Sequence, residues 1–317
     1  MSAESHVSFP CFGGTVAVHV RAASERDGAA ALALCERRLL DAHRRLSRFE
    51  PASELSRLNR DPREAVPSGP LLRALAAAVA RAGEASGGLV DATMAGAIER
   101  AGYRDSLGAG GGSLSLLDAL AAAPPRRPAA PDPAARWSAV RVDEEAGTVE
   151  RPPGLAIDSG GLAKGLLADR LAAELAGFPA FAVDCCGDLR LGGEAGLARR
   201  IRVDDPFGGP PLLELKLRDG AVATSGIGRR CWRRADGRPA HHLLDPASGE
   251  PAYTGIVQAT AFAPSALLAE TYAKAALLAG PEAAAEWLPH GGVLVGEDGA
   301  AETVAPPASA ALAEAVA

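Results

Sequence analysis

One strand-to-helix turn constrains this chain more than any other feature. Asp158-Ser159-Gly160-Gly161-Leu162-Ala163-Lys164-Gly165 follows the apolar Leu155-Ala156-Ile157 and enters an apolar stretch, 166–175, that reads as a helix and contains Asp169. The adjacent glycines let backbone come close to a bulky anion. The first amides of the helix then aim the positive end of its macrodipole at that anion. Lys164 adds a full positive charge and Asp158 a carboxylate, so phosphate and a divalent metal have partners at one place. A tight structural turn with a solvated lysine has the same composition, and the octapeptide alone leaves both readings open.

The rest of the chain narrows the classes available. At 317 residues it has the length for one large domain or two smaller ones, and with 48% hydrophobic but only 4% aromatic residues its core is mostly aliphatic. A net charge of −6 argues against nucleic acid as a partner, and the pairs Arg199-Arg200, Arg229-Arg230 and Arg233-Arg234 read as local solvated faces. Residues 1–20 show no basic segment followed by an unbroken apolar run, so no leader is read there. No stretch reaches about 18 uncharged apolar residues, so no membrane partner is expected and the expected compartment is the cytoplasm. The five cysteines lack Cys-x-x-Cys spacing and read as reduced, structural thiols.

Along the chain, 15–20 reads as an opening strand, and 29–46, 71–85 and 95–101 as helices, the second ended by Ser86-Gly87-Gly88. Residues 108–135 are rich in Gly, Ala and Pro and read as an irregular excursion with one short helix at 114–122. Beyond residue 139 short strands are expected at 139–142, 148–150, 180–183, 189–192, 200–203, 212–217, 220–223 and 293–295. Helices are expected at 165–176, 265–278 and 281–287, and the Ala/Pro-rich tail, 301–317, reads as frayed apart from an optional helix at 309–316. Strands in antiparallel groups beside separate helices give an α+β class.

The second half also carries Thr224-Ser225-Gly226, then His241-His242-Leu243-Leu244-Asp245-Pro246-Ala247-Ser248-Gly249-Glu250-Pro251. With the glycine-lysine turn, these segments resemble the ApbE family of FAD:protein FMN transferases. That family has an Asp-x-Gly-Gly-(Ile/Leu)-Ala-Lys-Gly turn, a Gly-Gly-Asp-like element, a Thr-Ser-Gly and a His-x-x-Asp-Pro-x-x-Gly-x-Pro segment, in that order. Cys186-Gly187-Asp188 stands for the second element. Upstream, the run from Ser47 to Asn59 is similar to the family's Ser-x-aromatic-x-x-x-Ser-Glu-Leu-Ser-x-Leu-Asn segment, and Gly88-Leu89-Val90-Asp91-Ala92-Thr93 to its Gly-x-(Phe/Val)-Asp-x-Thr segment. The resemblance covers roughly residues 9–296. It implies a two-lobed α+β fold with antiparallel sheets and flanking helices. One domain over 1–300 would divide into lobes of about 1–135 and 136–300.

The activity implied is cleavage of the FAD pyrophosphate, with transfer of FMN to a Thr or Ser hydroxyl of an acceptor protein and release of AMP. Such a transfer needs charge neutralisation and a base near the hydroxyl, and in the family Mg²⁺ supplies part of the first. By this resemblance Lys164 faces the phosphates, His242 handles the proton, and Asp245, above all part of a rigid turn, is a secondary catalytic candidate. Asp158, Gly160, Gly161, Asp91, Thr93, Thr224 and Ser225 are candidates for holding the cofactor. Phe49, in the place of a frequent tyrosine, is a candidate for lying on a ring system or, equally, for the core. Asp158 also suits a helix cap, His242 a loop hydrogen bond, and His241 reads as structural. The Ala163 carbonyl and Glu270 are the implied metal ligands. Two departures stand out. Glu270-Thr271-Tyr272-Ala273-Lys274 replaces the family's Asp-Ala-x-Ala-Thr, placing a cation where a hydroxyl ligand belongs, which predicts weak or lost Mg²⁺ dependence. Gly13 occupies a methionine position near the start, removing an apolar wall. An FAD-binding protein without transferase activity and a metal-dependent FAD pyrophosphatase are the alternatives.

Overall fold

A computed structural model describes residues 3–105, 114–306 and 313–315 and shows an α+β fold. The first half runs β1 (Ala3–Cys11), β2 (Gly14–Ala22), α1 (Glu25–Leu46), α2 (Glu54–Arg60), β3 (Ala65–Pro67), α3 (Pro70–Ala85), α4 (Ala95–Arg100), α5 (Leu116–Ala121), β4 (Arg141–Asp143), β5 (Thr148–Glu150) and α6 (Ala163–Leu175). There follow β6 (Ala180–Cys185), β7 (Asp188–Gly192), β8 (Arg199–Val203), β9 (Leu213–Leu217), β10 (Gly220–Gly226), β11 (Cys231–Arg233) and β12 (Pro239–His241). The chain closes with β13 (Ile256–Ala263), α7 (Ala266–Ala279), β14 (Gly292–Gly296), β15 (Ala301–Val304) and β16 (Ala313–Ala315).

An eight-stranded sheet ordered β1-β2-β6-β7-β10-β13-β14-β15 is the scaffold, and its neighbours pair antiparallel. Helices α1, α6 and α7 pack on one face. On the other face, Ile201, Leu215 and Leu217 of the small β16-β9-β8 sheet bury Ala182, Leu191, Val222 and Phe262. Helix α1 follows directly from its residues. Ser24 caps it by accepting the Asp27 N–H at 3.1 Å, acids fill its first turn and bases its last, and Ala31, Leu32, Cys35, Leu39, Ala42 and Leu46 form the buried stripe.

Helices α6 and α7 meet at a point that only glycine permits. A Cβ on Gly165 would lie 2.6 Å from the Ala266 carbonyl oxygen. Asp169 locks the contact by accepting the Ala266 and Leu267 N–H groups at 2.7 and 2.9 Å, capping the start of α7 from α6. This crossing brings Glu270 and Lys274 of α7 over the first turn of α6.

Several expectations need correction. Residues 256–263 carry no strand expectation, yet β13 lies between β10 and β14, because a strand buried on both faces shows no alternation. The opening hairpin starts at Ala3, and 54–60 is a helix capped by Ser53. The tail is paired: β15 extends the main sheet and β16 joins β9, so 313–315 is strand and not helix, while 307–312 lie outside the described residues. Residues 281–287 form only a short 3₁₀ turn at Ala284–Trp287. The glycine run 108–112 also lies outside the described residues, but the proline-rich part of the excursion is strapped down. There Arg127 and Ala129 donate to the Tyr253 and Leu278 carbonyls at 3.1 and 2.9 Å. No helix among the described residues is long and apolar enough to cross a membrane.

Candidate active site

The glycine-lysine turn is tied to the residues expected to share its work. Asn59 exchanges two hydrogen bonds of 2.8 Å with the Ile157 backbone, and the Ser159 hydroxyl donates to the Leu46 carbonyl at 2.7 Å. The Asp158 N–H donates to the Ala92 carbonyl at 2.7 Å, which fixes segment 91–93 beside the turn. Asp91 Oδ1 accepts both the Thr93 N–H, at 2.7 Å, and its hydroxyl, at 2.6 Å. Asp91 Oδ2 is buried with no hydrogen-bond partner, an acceptor left for a ligand donor. Asp158 takes the Gly160 N–H at 3.2 Å and the Arg48 guanidinium at 3.3 Å, so it closes the turn and pairs with a cation at once.

Beneath the turn lies a cluster of four charges. Lys164 binds Asp188, which opens β7, and its Nζ lies 3.7 Å from Glu270 Oε1. Lys274 donates to the same Oε1 at 3.0 Å, and Glu270 Oε2 accepts the Gly165 N–H at 2.9 Å, capping α6. Asp188 and Glu270 are 1% exposed and Lys274 8%. Burial works against the charge on Lys164, but Asp188 and Glu270 outweigh it and raise its pKa above the ordinary lysine value. Glu270 faces the same burial, and the two ammoniums with the Gly165 amide hold it below the usual range. Burial pushes Asp188 up against the pull of Lys164. The cluster is neutral as a whole and each of its members is paired.

His242 is half-buried close to these cations. Burial first, then the charges of Arg230, His241, Lys274 and Lys164, push its pKa well below 6.5, and its Nδ1 has no hydrogen-bond partner. His241 is fully buried against the Tyr253 ring and accepts the Leu243 N–H at 3.2 Å; burial brings its pKa to about 3, the structural role expected.

Other candidates stand apart from this centre. Asp245 takes the Ala130 and Ala247 N–H groups on Oδ1 at 2.9 and 3.2 Å and the Ser248 hydroxyl on Oδ2 at 2.6 Å, so both oxygens are engaged in a turn and a strap. Thr224 and Ser225 cannot serve one site together. Ala221 is paired with Arg190, so Ser225 shares the face of Asp188, whereas the Thr224 hydroxyl meets that of Thr260 at 2.8 Å on the opposite face. Phe49 stands edge-on to Tyr103 at 5.5 Å, with the Arg48 guanidinium 4.2 Å above its ring, so one of its faces is already covered.

The donor set does not fit a divalent ion. Among the described residues no three His, Cys, Asp or Glu side chains group as metal ligands. Both oxygens of Glu270 are committed, and Ala163 opens α6, so its carbonyl belongs to the helix ladder. In the expected pair of Glu270 and the Ala163 carbonyl, Lys274 holds the carboxylate that a metal would need.

Asp188, Arg230 and Arg48 were not among the residues expected to act. Asp188 ends the Cys186-Gly187-Asp188 element, the local signal for it in the sequence. Arg230, expected as part of a solvated pair, instead donates to the Phe12 carbonyl at 3.1 Å, and its charge helps lower the His242 pKa. Arg48 carried no signal beyond its place between Ser47 and Phe49.

Comparison with known proteins identifies the family and the fold. A curated FAD:protein FMN transferase of Treponema pallidum is 33% identical over 146 residues, 41% of this chain and 39% of that protein. One from Escherichia coli K12 is 29% identical over 150 residues, 45% and 42% of the two chains, so each match spans about two fifths of the relative's length. The ApbE protein of Thermotoga maritima superposes with a TM-score of 0.75 at 25% identity, covering 95% of this chain and 97% of that one. The flavin transferase ApbE of Vibrio cholerae gives 0.73 at 20% identity, with 98% and 99% covered. The family profile described as "ApbE family" matches residues 12–295, and on that match the chain belongs to the ApbE family.

Proposed function

We propose that this chain is an FAD:protein FMN transferase. It would take FAD and an acceptor protein, attach FMN through a phosphoester to an acceptor Thr or Ser, and release AMP. The observation that carries the reading is the convergence of turn 158–165 on segment 91–93, on Asp188 and on His242, each from a different part of the chain. In the reaction the acceptor hydroxyl oxygen attacks the phosphorus of the FMN half. A new P–O bond forms there, the bond to the bridging oxygen breaks, and AMP leaves with that electron pair. His242, neutral at pH 7, takes the hydroxyl proton and passes it to solvent. The Lys164 ammonium, kept charged by Asp188, faces the negative charge that grows on the phosphate oxygens. The Asp91 Oδ2 acceptor and the backbone of Gly160 and Gly161 hold the flavin side. The five free cysteines support a reducing compartment, the cytoplasm.

Incubation of the purified protein with FAD and candidate acceptors tests this by AMP release and flavin fluorescence that stays on the acceptor in a denaturing gel. AMP and free FMN appearing without an acceptor would assign the pyrophosphatase reaction instead, and FAD binding without turnover would assign a carrier. Lys164→Ala is expected to slow transfer more than it weakens FAD binding, because its charge acts most on the transition state. An unchanged rate with weaker binding would make Lys164 a ground-state contact.

A further inference from the structure

A divalent cation at the start of α6 needs carboxylate oxygens with free lone pairs. The two carboxylates here are already engaged by amide and ammonium donors. Glu270 spends Oε2 on the Gly165 N–H at 2.9 Å and Oε1 on Lys274 at 3.0 Å, with Lys164 3.7 Å away, while Asp188 takes Lys164. A divalent ion entering this cluster would meet two ammoniums that already neutralise both acids. Lys274 is also not free to leave. The residue is 8% exposed, and a Cβ on Gly161 would come within 3.7 Å of its Cε, so the lysine stem lies against the glycine turn itself.

We infer that the Lys274 ammonium serves as a built-in cation, so that this chain binds the pyrophosphate of a flavin dinucleotide without a divalent metal. The ligand half rests on the transferase reading above; the metal half stands on the four-charge cluster alone. The chemistry is coherent. An ammonium has three donors and Glu270 occupies one, leaving others for phosphate oxygens. Lys274 adds one positive charge beside that of Lys164, at the place where a divalent ion would add two. The ammoniums come without the octahedral ligand demand that Mg²⁺ imposes.

The test uses the full chain. Mn²⁺ is titrated onto ligand-free protein and followed by electron paramagnetic resonance, and FAD is titrated by flavin fluorescence in EDTA and in millimolar Mg²⁺. The wild type is expected to take up no Mn²⁺ in the micromolar range and to bind FAD equally well in both buffers. Lys274→Thr should gain Mn²⁺ uptake and should bind FAD roughly tenfold or more tighter with Mg²⁺ than without, since Glu270 is then released for the ion. Lys274→Arg keeps the charge and should behave as the wild type, which covers the case in which the threonine variant fails to fold. Stoichiometric micromolar Mn²⁺ binding by the wild type, or FAD binding that disappears in EDTA, overturns the inference. Absence of FAD binding in both buffers overturns the flavin reading and the ligand half with it, while the Mn²⁺ titration still decides the metal half.

Discussion

His242 is the residue whose charge state its neighbours most clearly set. Its imidazole is half-buried, and Arg230, Lys274 and Lys164 all disfavour a further positive charge there, so its pKa falls well below 6.5. The sign of the resulting pH dependence is definite. A base must be unprotonated to accept the acceptor hydroxyl proton, and a depressed pKa keeps it so down to more acidic pH than a free histidine allows. The kcat/KM profile for FAD is therefore expected to stay flat across neutral pH, with its acid limb below pH 6.5. His242→Gln should remove that limb and lower kcat by about 10²–10⁴-fold, the usual worth of a positioned base, with FAD binding nearly unchanged. A limb at or above 6.5 that survives the substitution would assign the titration to another group.

Among the elements, the β6–β7 hairpin does most to define the charge cluster, because it sets Asp188 opposite Cys185 and under Lys164. Its two-residue turn is Cys186-Gly187, with φ of +61° and +96°, the left-handed pair that a type I′ hairpin requires. Glycine adopts this freely; cysteine is strained there by about 1–2 kcal/mol. Asparagine is the preferred partner of glycine in such a turn, so Cys186→Asn is expected to stabilise the protein by roughly 0.5–1 kcal/mol and raise Tm by a few degrees. A lower Tm would show that the thiol contact with the Cys11 carbonyl, 3.4 Å away, outweighs the strain. The elements legible in the sequence were those whose signals are local: α1 and α3 with their apolar stripes, β5 and β7 with their turn boundaries, and the glycine-lysine turn with its helix. β13 was not legible because burial on both faces erases alternation. The partners of Lys164 were not legible either. Asp188 is 24 residues away and Glu270 106, and only the sheet order and the α6–α7 crossing bring the three together. The local sequence marked Lys274 as a departure, but the saturation of Glu270 depends on the Gly165 amide from another helix.

At the scale of the whole molecule, the proline-rich segment between the early helices and the later strands is held against α7 and the loop that precedes β13, and Asp245 is its main clasp. Asp245 is 8% exposed and accepts from Ala130, Ala247 and Ser248, while the Ala247 N–H returns to the Ala130 carbonyl at 3.0 Å. Removing the carboxylate leaves the Ala130 N–H without an acceptor, at about 1–3 kcal/mol where it is desolvated, while the Ala247 N–H keeps the Ala130 carbonyl. Asp245→Ala is therefore expected to cost roughly 1–3 kcal/mol and to lower Tm by a few degrees for a chain of this size. Trypsin should then cut faster at the Arg126–Arg127 bond, because Arg127 and Ala129 lose the clasp that keeps them on the Tyr253 and Leu278 carbonyls. Asp245→Asn keeps an Oδ1 acceptor for both amides and should recover most of the stability and the protease resistance. A catalytic Asp245 predicts the reverse pattern: both variants would lose turnover, the asparagine as fully as the alanine, while melting temperature and the tryptic rate stayed at the wild-type values. Differential scanning fluorimetry with timed trypsin digestion separates the two roles without any acceptor protein, and an unchanged Tm in Asp245→Ala would overturn the clasp.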